Sequence, residues 1–484
     1  MWIVGAAAGF GATIRWNSPQ SGLWHTASHW DPPQVPGAGD DVEIRGAGGI
    51  VVTINSSAAV NSIAVGGLGD NITLRHASGT LTVTESVSAL TGGAFALAGG
   101  SLVGGNLTLA GTIEWEGGNL GSSGGGSRIT LAAGGVLNVR GGSSSSRLVY
   151  ASLTNSGTVN LLGPELLLSG SFARLVNSAV GVVDAQVDGE IDWSGSSGRV
   201  FENHGTFRKS GGAGVTTIAS GVSLQNFGVL EVLAGRVDVD GGGSASGRFV
   251  ASPNTTLDFG ASYTLGETGT LGGGGTNRIS GGPFTVEGMG VLSNIWMGGT
   301  VQGTNLTLAG TIEWEGGNLG SSGGGSRITL AAGGVLNVRG GSSSSRLVYA
   351  SLTNSGTVNL LGPELLLSGS FARLVNSAVG VVDAQVDGEI DWSGSSGRVF
   401  ENHGTFRKSG GAGVTTIASG VSLQNFGVLE VLAGRVDVDG GGSASGRFVA
   451  SPNTTLDFGA SYTLGEAGTL GGGGTNRISS GAFT

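Results

Sequence analysis

Paired carboxylates are the first residues here that could do chemistry. Glu114 and Glu116 flank Trp115 in Thr112-Ile113-Glu114-Trp115-Glu116. On a strand, both would point to one face, about 7 Å apart. That separation suits an inverting glycosidase, in which one carboxyl protonates the leaving group and the other activates water. Two solvated glutamates on either side of a buried tryptophan give the same pattern, and this is the expected reading. A second group, Asp184, Asp188, Glu190 and Asp192, returns as Asp383, Asp387, Glu389 and Asp391. With Val187, Ile191 and Trp193 turned inward, these acids would share an outward, solvated face. Calcium takes roughly six to eight oxygens from a turn-rich loop, and no nonapeptide calcium repeat is present. A calcium site and a polysaccharide-cleaving site are the alternatives to a plain acidic surface.

Other constellations carry less. His25 and His29 are four apart, which is metal-ligand spacing on a helix, but their segment is rich in Trp and Pro and supplies no third ligand. Gly121-Ser122-Ser123-Gly124-Gly125 fits the esterase nucleophile pattern. In a chain so rich in Gly and Ser this match is a product of composition, without the strand-to-helix turn that the chemistry requires. Gly-x-Gly-x-x-Gly matches fail similarly, since no helix follows to bind a pyrophosphate. Asn71 and Asn254 begin glycosylation sequons, which matter only in a eukaryotic secretory pathway. No catalytic, cofactor or metal residue is therefore assigned.

The elements that carry these residues follow from composition. Of 484 residues 99 are Gly, and only 12% are charged. Nine Pro and no strict Gly-X-Y period exclude collagen. The charge is too low and Val, Ile and Leu too frequent for a disordered chain. Gly and Ser then belong to many tight turns between short apolar strands. The net charge of −10 is thinly spread, with no basic stripe for nucleic acid. There is no Cys for disulfides or thiolate metal sites, which suits export. No apolar run is long enough to span a membrane.

Internal duplication dominates the chain. Residues 106–285 recur at an offset of 199, and three of the 180 aligned positions differ: Thr268/Ala467, Gly281/Ser480 and Pro283/Ala482. Each copy holds a finer period. Asn155, Asn177, Asn203 and Asn226 are spaced by 22, 26 and 23 residues, and Asn354, Asn376, Asn402 and Asn425 repeat the series. A period near two dozen fits one coil of a parallel β-helix, with three short strands and three turns. One Asn per coil at the same corner predicts a stacked ladder of side-chain amides.

The fold expected is all-β: a parallel β-helix solenoid with an N-terminal β cap, right-handed on the general preference of parallel crossovers. About 20 coils at the ~4.8 Å strand spacing would make a rod on the order of 95 Å long. Residues 1–15 read as a leader or fragment start, 16–87 as the cap and first coils, 88–285 as the first solenoid block, and 286–484 as a truncated second block. Trp16, Trp24 and Trp30 make an aromatic-rich opening suited to covering an exposed sheet edge.

A resemblance rests on these motifs. Trp24, Trp30, Val35-Pro36-Gly37 and Asp40-Asp41-Val42-Glu43-Ile44, followed by Ile50-Val51-Val52-Thr53-Ile54, look like the opening of many secreted bacterial β-helical proteins. They are also loosely similar to the glycine-rich β-domain that begins some animal β-helix proteins. Phe201-Glu202-Asn203-His204-Gly205-Thr206-Phe207 and Leu224-Gln225-Asn226-Phe227-Gly228-Val229-Leu230 resemble the passenger repeats of filamentous-haemagglutinin-like and autotransporter-type adhesins. The resemblance implies secretion or cell-surface display and adhesion to polysaccharide or to host or neighbouring cells. The chain departs from the autotransporter pattern in carrying no C-terminal membrane-barrel signature. The expected function is a structural or adhesive rod with multivalent contacts. A polysaccharide-degrading β-helix enzyme and a passive surface-layer spacer are the rivals.

Overall fold

The computed structural model describes residues 11–123, 126–141, 146–170, 172–195, 198–321, 325–340, 345–394 and 397–484. Residues 1–10 of the expected leader, and Gly124 and Gly125 of the esterase-like pattern, lie outside the described residues. The chain is a parallel β-solenoid of about 19 turns, 60% strand and 1% helix. It forms two compact units, Met1–Gly243 and Ser244–Thr484.

Short strands with alternating burial build each unit. Through most of each unit three strands make a coil, and a strand pairs in parallel with the strand three places on. Register keeps like positions in columns. In the first unit Leu107, Ile129, Leu153, Leu175, Phe201 and Leu224 stack rung by rung on one inner face. Ile113, Leu137, Val159, Val183, Phe207 and Leu230 stack on the next. All twelve are at most 1% exposed. The period of two along each strand sends these residues to the core and their neighbours to solvent. Phe201 and Phe207 meet edge to face at 5.2 Å, which joins the two columns. The second unit repeats both columns, from Leu306 to Leu423 and from Ile312 to Leu429.

The corner between these faces holds the amides. Asn155, Asn177, Asn203 and Asn226 occupy one register column and are 0% exposed. Asn155 Nδ2 donates to Asn177 Oδ1 at 2.8 Å, Asn177 to Asn203 at 2.8 Å, and Asn203 to Asn226 at 2.7 Å. Asn354, Asn376, Asn402 and Asn425 repeat the chain of bonds at 2.8, 2.7 and 2.8 Å. The remaining amide protons reach backbone carbonyls, as from Asn203 to Val229 O at 3.0 Å. Each amide thereby satisfies turn carbonyls that a strand ladder leaves over.

The opening segment is locally distinct. Thr13–Trp16 pairs antiparallel with Trp30–Asp31 and parallel with Asp41–Ile44. Trp16 and Trp24 both meet Trp30 edge to face, at 5.0 and 4.9 Å, and Trp30 Nε1 donates to Trp24 O at 2.7 Å.

The stretch that diverges ahead of the second copy is also distinct. Pro283–Met297 and Thr300–Trp314 are each a single bent strand, paired with register shifts between Val286 and Met289 and between Ser293 and Ile295. Gly288 (φ +66°) and Asn294 (φ +52°) sit at the shifts. Both are residue types that tolerate the left-handed backbone a bulge requires.

Candidate functional site

The carboxylates singled out by sequence are mostly engaged with partners. Trp115 and Ile113 point inward, as expected, at 0% and 1% exposure. Glu114 accepts bonds from Asn138 Nδ2 at 2.7 Å and Arg140 Nε at 2.6 Å. Glu116 accepts from Arg75 Nη1 at 2.6 Å. Asn160 Nδ2 continues the line to Asn138 Oδ1 at 2.9 Å. This outward polar column, Glu114–Asn138–Asn160–Asp184, lies one register step per coil. It went unread in the sequence because its members differ in type.

The four-acid cluster does not form one solvated face. Asp184, expected outward in solvent, has its side chain 3% exposed beneath Arg208. It accepts from Arg208 Nη2 at 2.8 Å and Ser210 Oγ at 2.6 Å, and Asp383 does the same with Arg407 and Ser409. The cause is register: Asp184 and Arg208 are direct neighbours on adjacent strands. Asp188 is more open and meets Lys209, whose side chain is 0% exposed. Lys209 Nζ donates to Asp188 Oδ1 at 2.7 Å, Gly211 O at 2.9 Å and Thr216 Oγ1 at 3.1 Å. The bond from Lys209 holds the Asp188 carboxyl below its usual value. Glu190 and Asp192 remain outward. Glu190 is held above its usual value first by burial and then by the charges of Asp192, Glu165 and Asp240. Among the described residues no three His, Cys, Asp or Glu side chains converge as metal ligands. His25 and His29 also diverge: His25 meets Ser56 and Ser57, while His29 lies edge-on to Trp16.

Trp193, expected inward, is half-buried. It is in register with buried Leu168, but the next strand pairs only as far as Ile191–Ile218 before the chain turns at Ala219–Val222. The indole ends its column over Gly221, where a Cβ would stand 2.1 Å from the ring.

Sizeable concavities lie elsewhere, on the outward face of the strands that carry the Asn ladder. In the second unit two adjoining hollows of about 540 and about 510 Å³ share Arg327, Ser351 and Arg373. These three residues are successive rungs of one column, Arg327 beside Ser351 and Ser351 beside Arg373. Tyr349, Phe371 and Arg398 line the first hollow, and Met289, Thr329, Thr353 and Glu401 the second. Arg327 is exposed and makes no side-chain bond to a described residue, whereas Arg373 pairs with Glu401. Arg398 is 2% exposed and donates to Ser393 O at 2.6 Å. Its guanidinium is pushed below its usual value by burial.

Two local features shape the hollow. Tyr349 holds a left-handed backbone, φ +49°, which is costly for an aromatic residue and persists only when its surroundings fix it. Its ring lies over Gly369, where a Cβ would come within 2.8 Å. Phe371 is 69% exposed. The first unit repeats the set: Tyr150 at φ +44° over Gly170, Phe172 73% exposed, and Arg128, Ser152 and Arg174 in one register column. Sequence reading missed this face because its arginines come together only when the coil register is known.

No protein-family profile, curated protein or solved structure matches the chain. Among the described residues no helix is long and apolar enough to cross a membrane.

Proposed function

We propose that the chain is a structural and adhesive repeat protein, secreted or held at a bacterial cell surface, that contacts glycans or other cell surfaces through its outward strand faces and turn loops. The observation that carries this reading is the outward hollow of the second unit, lined by arginines, a tyrosine and an exposed phenylalanine, whose residues recur on the same strand positions of the first unit. A duplicated surface suits multivalent contact, where a second site raises avidity without new chemistry. The engagement of Glu114 and Glu116 by Arg140 and Arg75 supports a reading in which these carboxylates hold the scaffold rather than cleave a substrate. The resemblance of the Phe201–Phe207 and Leu224–Leu230 segments to adhesin passenger repeats points the same way.

The test is incubation of the purified protein with plant, bacterial and host polysaccharides, scoring both retention and the release of new chain ends. Retention without cleavage is expected. Release of chain ends would replace this reading with that of a polysaccharide-degrading enzyme. Neither retention nor cleavage would leave a spacer.

A further inference from the structure

We propose that the hollow around Arg327 and Arg373, and the matching residue column Arg128–Ser152–Arg174 of the first unit, bind an extended acidic polysaccharide bearing uronate carboxylates. This rests on the adhesive reading and names the ligand class for it. Charge is the first argument. The chain as a whole carries −10, yet the two hollows together are lined by Arg327, Arg373 and Arg398 against one carboxylate, Glu401, which Arg373 already engages. Exposed Arg327 is thus the open cation, and the local charge stays positive. Arginine is suited to planar, bidentate recognition of carboxylates.

Spacing is the second argument. Arg327 and Arg373 lie two rungs apart in one register column, so their backbones are roughly 9.6 Å apart. Side chains on one face of an extended peptide recur at about 6.7 Å, out of step with that interval. A 1,4-linked pyranoside chain advances by roughly one strand step per sugar, so alternate uronates meet alternate rungs. Ser351 lies between the arginines, where it can bond a ring hydroxyl. Exposed Phe371 and strained Tyr349 supply rings against which the apolar face of a pyranose can pack.

The experiment uses the full chain and three immobilised probes: polygalacturonate, the same polymer fully methyl-esterified, and poly-glutamate. Wild-type protein is expected to be retained on polygalacturonate, and at least about tenfold less on the other two. The variant R128Q/R327Q, whose arginines make no side-chain bond to a described residue, should lose at least about tenfold in affinity with an unchanged Tm. A second variant, F172S/F371S, removes exposed rings without touching charge and should weaken retention on polygalacturonate. Undiminished binding by R128Q/R327Q, or equal binding to poly-glutamate, would overturn the proposal. Retention on the esterified polymer alone would overturn it while leaving the adhesive reading standing. Retention on none of the three probes would overturn it, and the wider polysaccharide panel then tests the adhesive reading separately.

Discussion

Asn376 Nδ2 donates to Asn402 Oδ1 at 2.7 Å across one coil of the solenoid, with both side chains wholly buried. The same Asn376 amide also reaches Gly380 O and Thr405 O, at 3.1 and 3.0 Å. One side chain thus ties two coils and a turn together. Asn376→Ala leaves Asn402 Oδ1 and two carbonyls short of a donor inside the core. Unsatisfied buried groups cost about 1–3 kcal/mol, so the unfolding midpoint in urea should fall accordingly. Asn425 is the last amide of its column, where Ala444 follows in register. Asn425→Ala should cost less than Asn376→Ala. Equal losses at the two positions would show that the ladder is not cooperative.

Much of this was legible in the sequence, and the reasons are specific. The Asn series declared itself because one residue type recurs at one corner, and the alternation in Thr112–Glu116 fixed Ile113 and Trp115 inward. Position along a strand thus tells which face a residue takes. What one strand cannot tell is what stands beside it on the next coil. Asp184 reads as an outward acid, and only the rung that sets Arg208 against it explains its burial. Trp193 obeys the alternation but loses its covering rung where the next strand stops early. The groove residues escaped notice for the same reason: Arg327 and Arg373 become neighbours only through the intervening Ser351.

The chain has two lysines, Lys209 and Lys408, and both are 0% exposed. Each has its ammonium met by an aspartate and a threonine hydroxyl. An amine-directed acylating reagent at neutral pH should therefore leave both unmodified in the folded protein and acylate both in denaturant. Peptide mass mapping reads the outcome directly. Rapid acylation of Lys209 in the folded state would show that its corner opens.

Gly420 lies under the half-buried indole of Trp392, where a Cβ would stand 2.1 Å from the ring. Gly420→Ala must displace the indole toward solvent or shift the turn. Overpacking of this kind costs about 1–3 kcal/mol. Acrylamide quenching of tryptophan emission should rise in the variant, with a lower thermal midpoint. Unchanged quenching would mean that the backbone, rather than the ring, gives way.

Two glutamates of the second unit should drive stability in opposite directions with pH. Glu389 is paired across the strands with Glu364, and its carboxyl is raised above the usual 4.5, first by burial and then by Asp391, Glu364 and Asp439. A raised carboxyl contributes stability that is present below 4.5 and lost as pH rises through its folded value. Glu401 is lowered below 4.5, first by its bond from His403 and also by Arg373. Its contribution is present above 4.5 and lost as pH falls through its folded value. Glu389→Gln should therefore raise stability at pH 7 by about 0.2–1 kcal/mol, the scale of a cross-strand like-charge pair. That gain should vanish in acid. Glu401→Gln should lower stability at pH 7, with the deficit closing in acid. Denaturant midpoints of both variants and the wild type across pH 3–8 measure the two slopes. A gain from Glu389→Gln that persists at pH 3 would show that packing, and not charge, sets its effect.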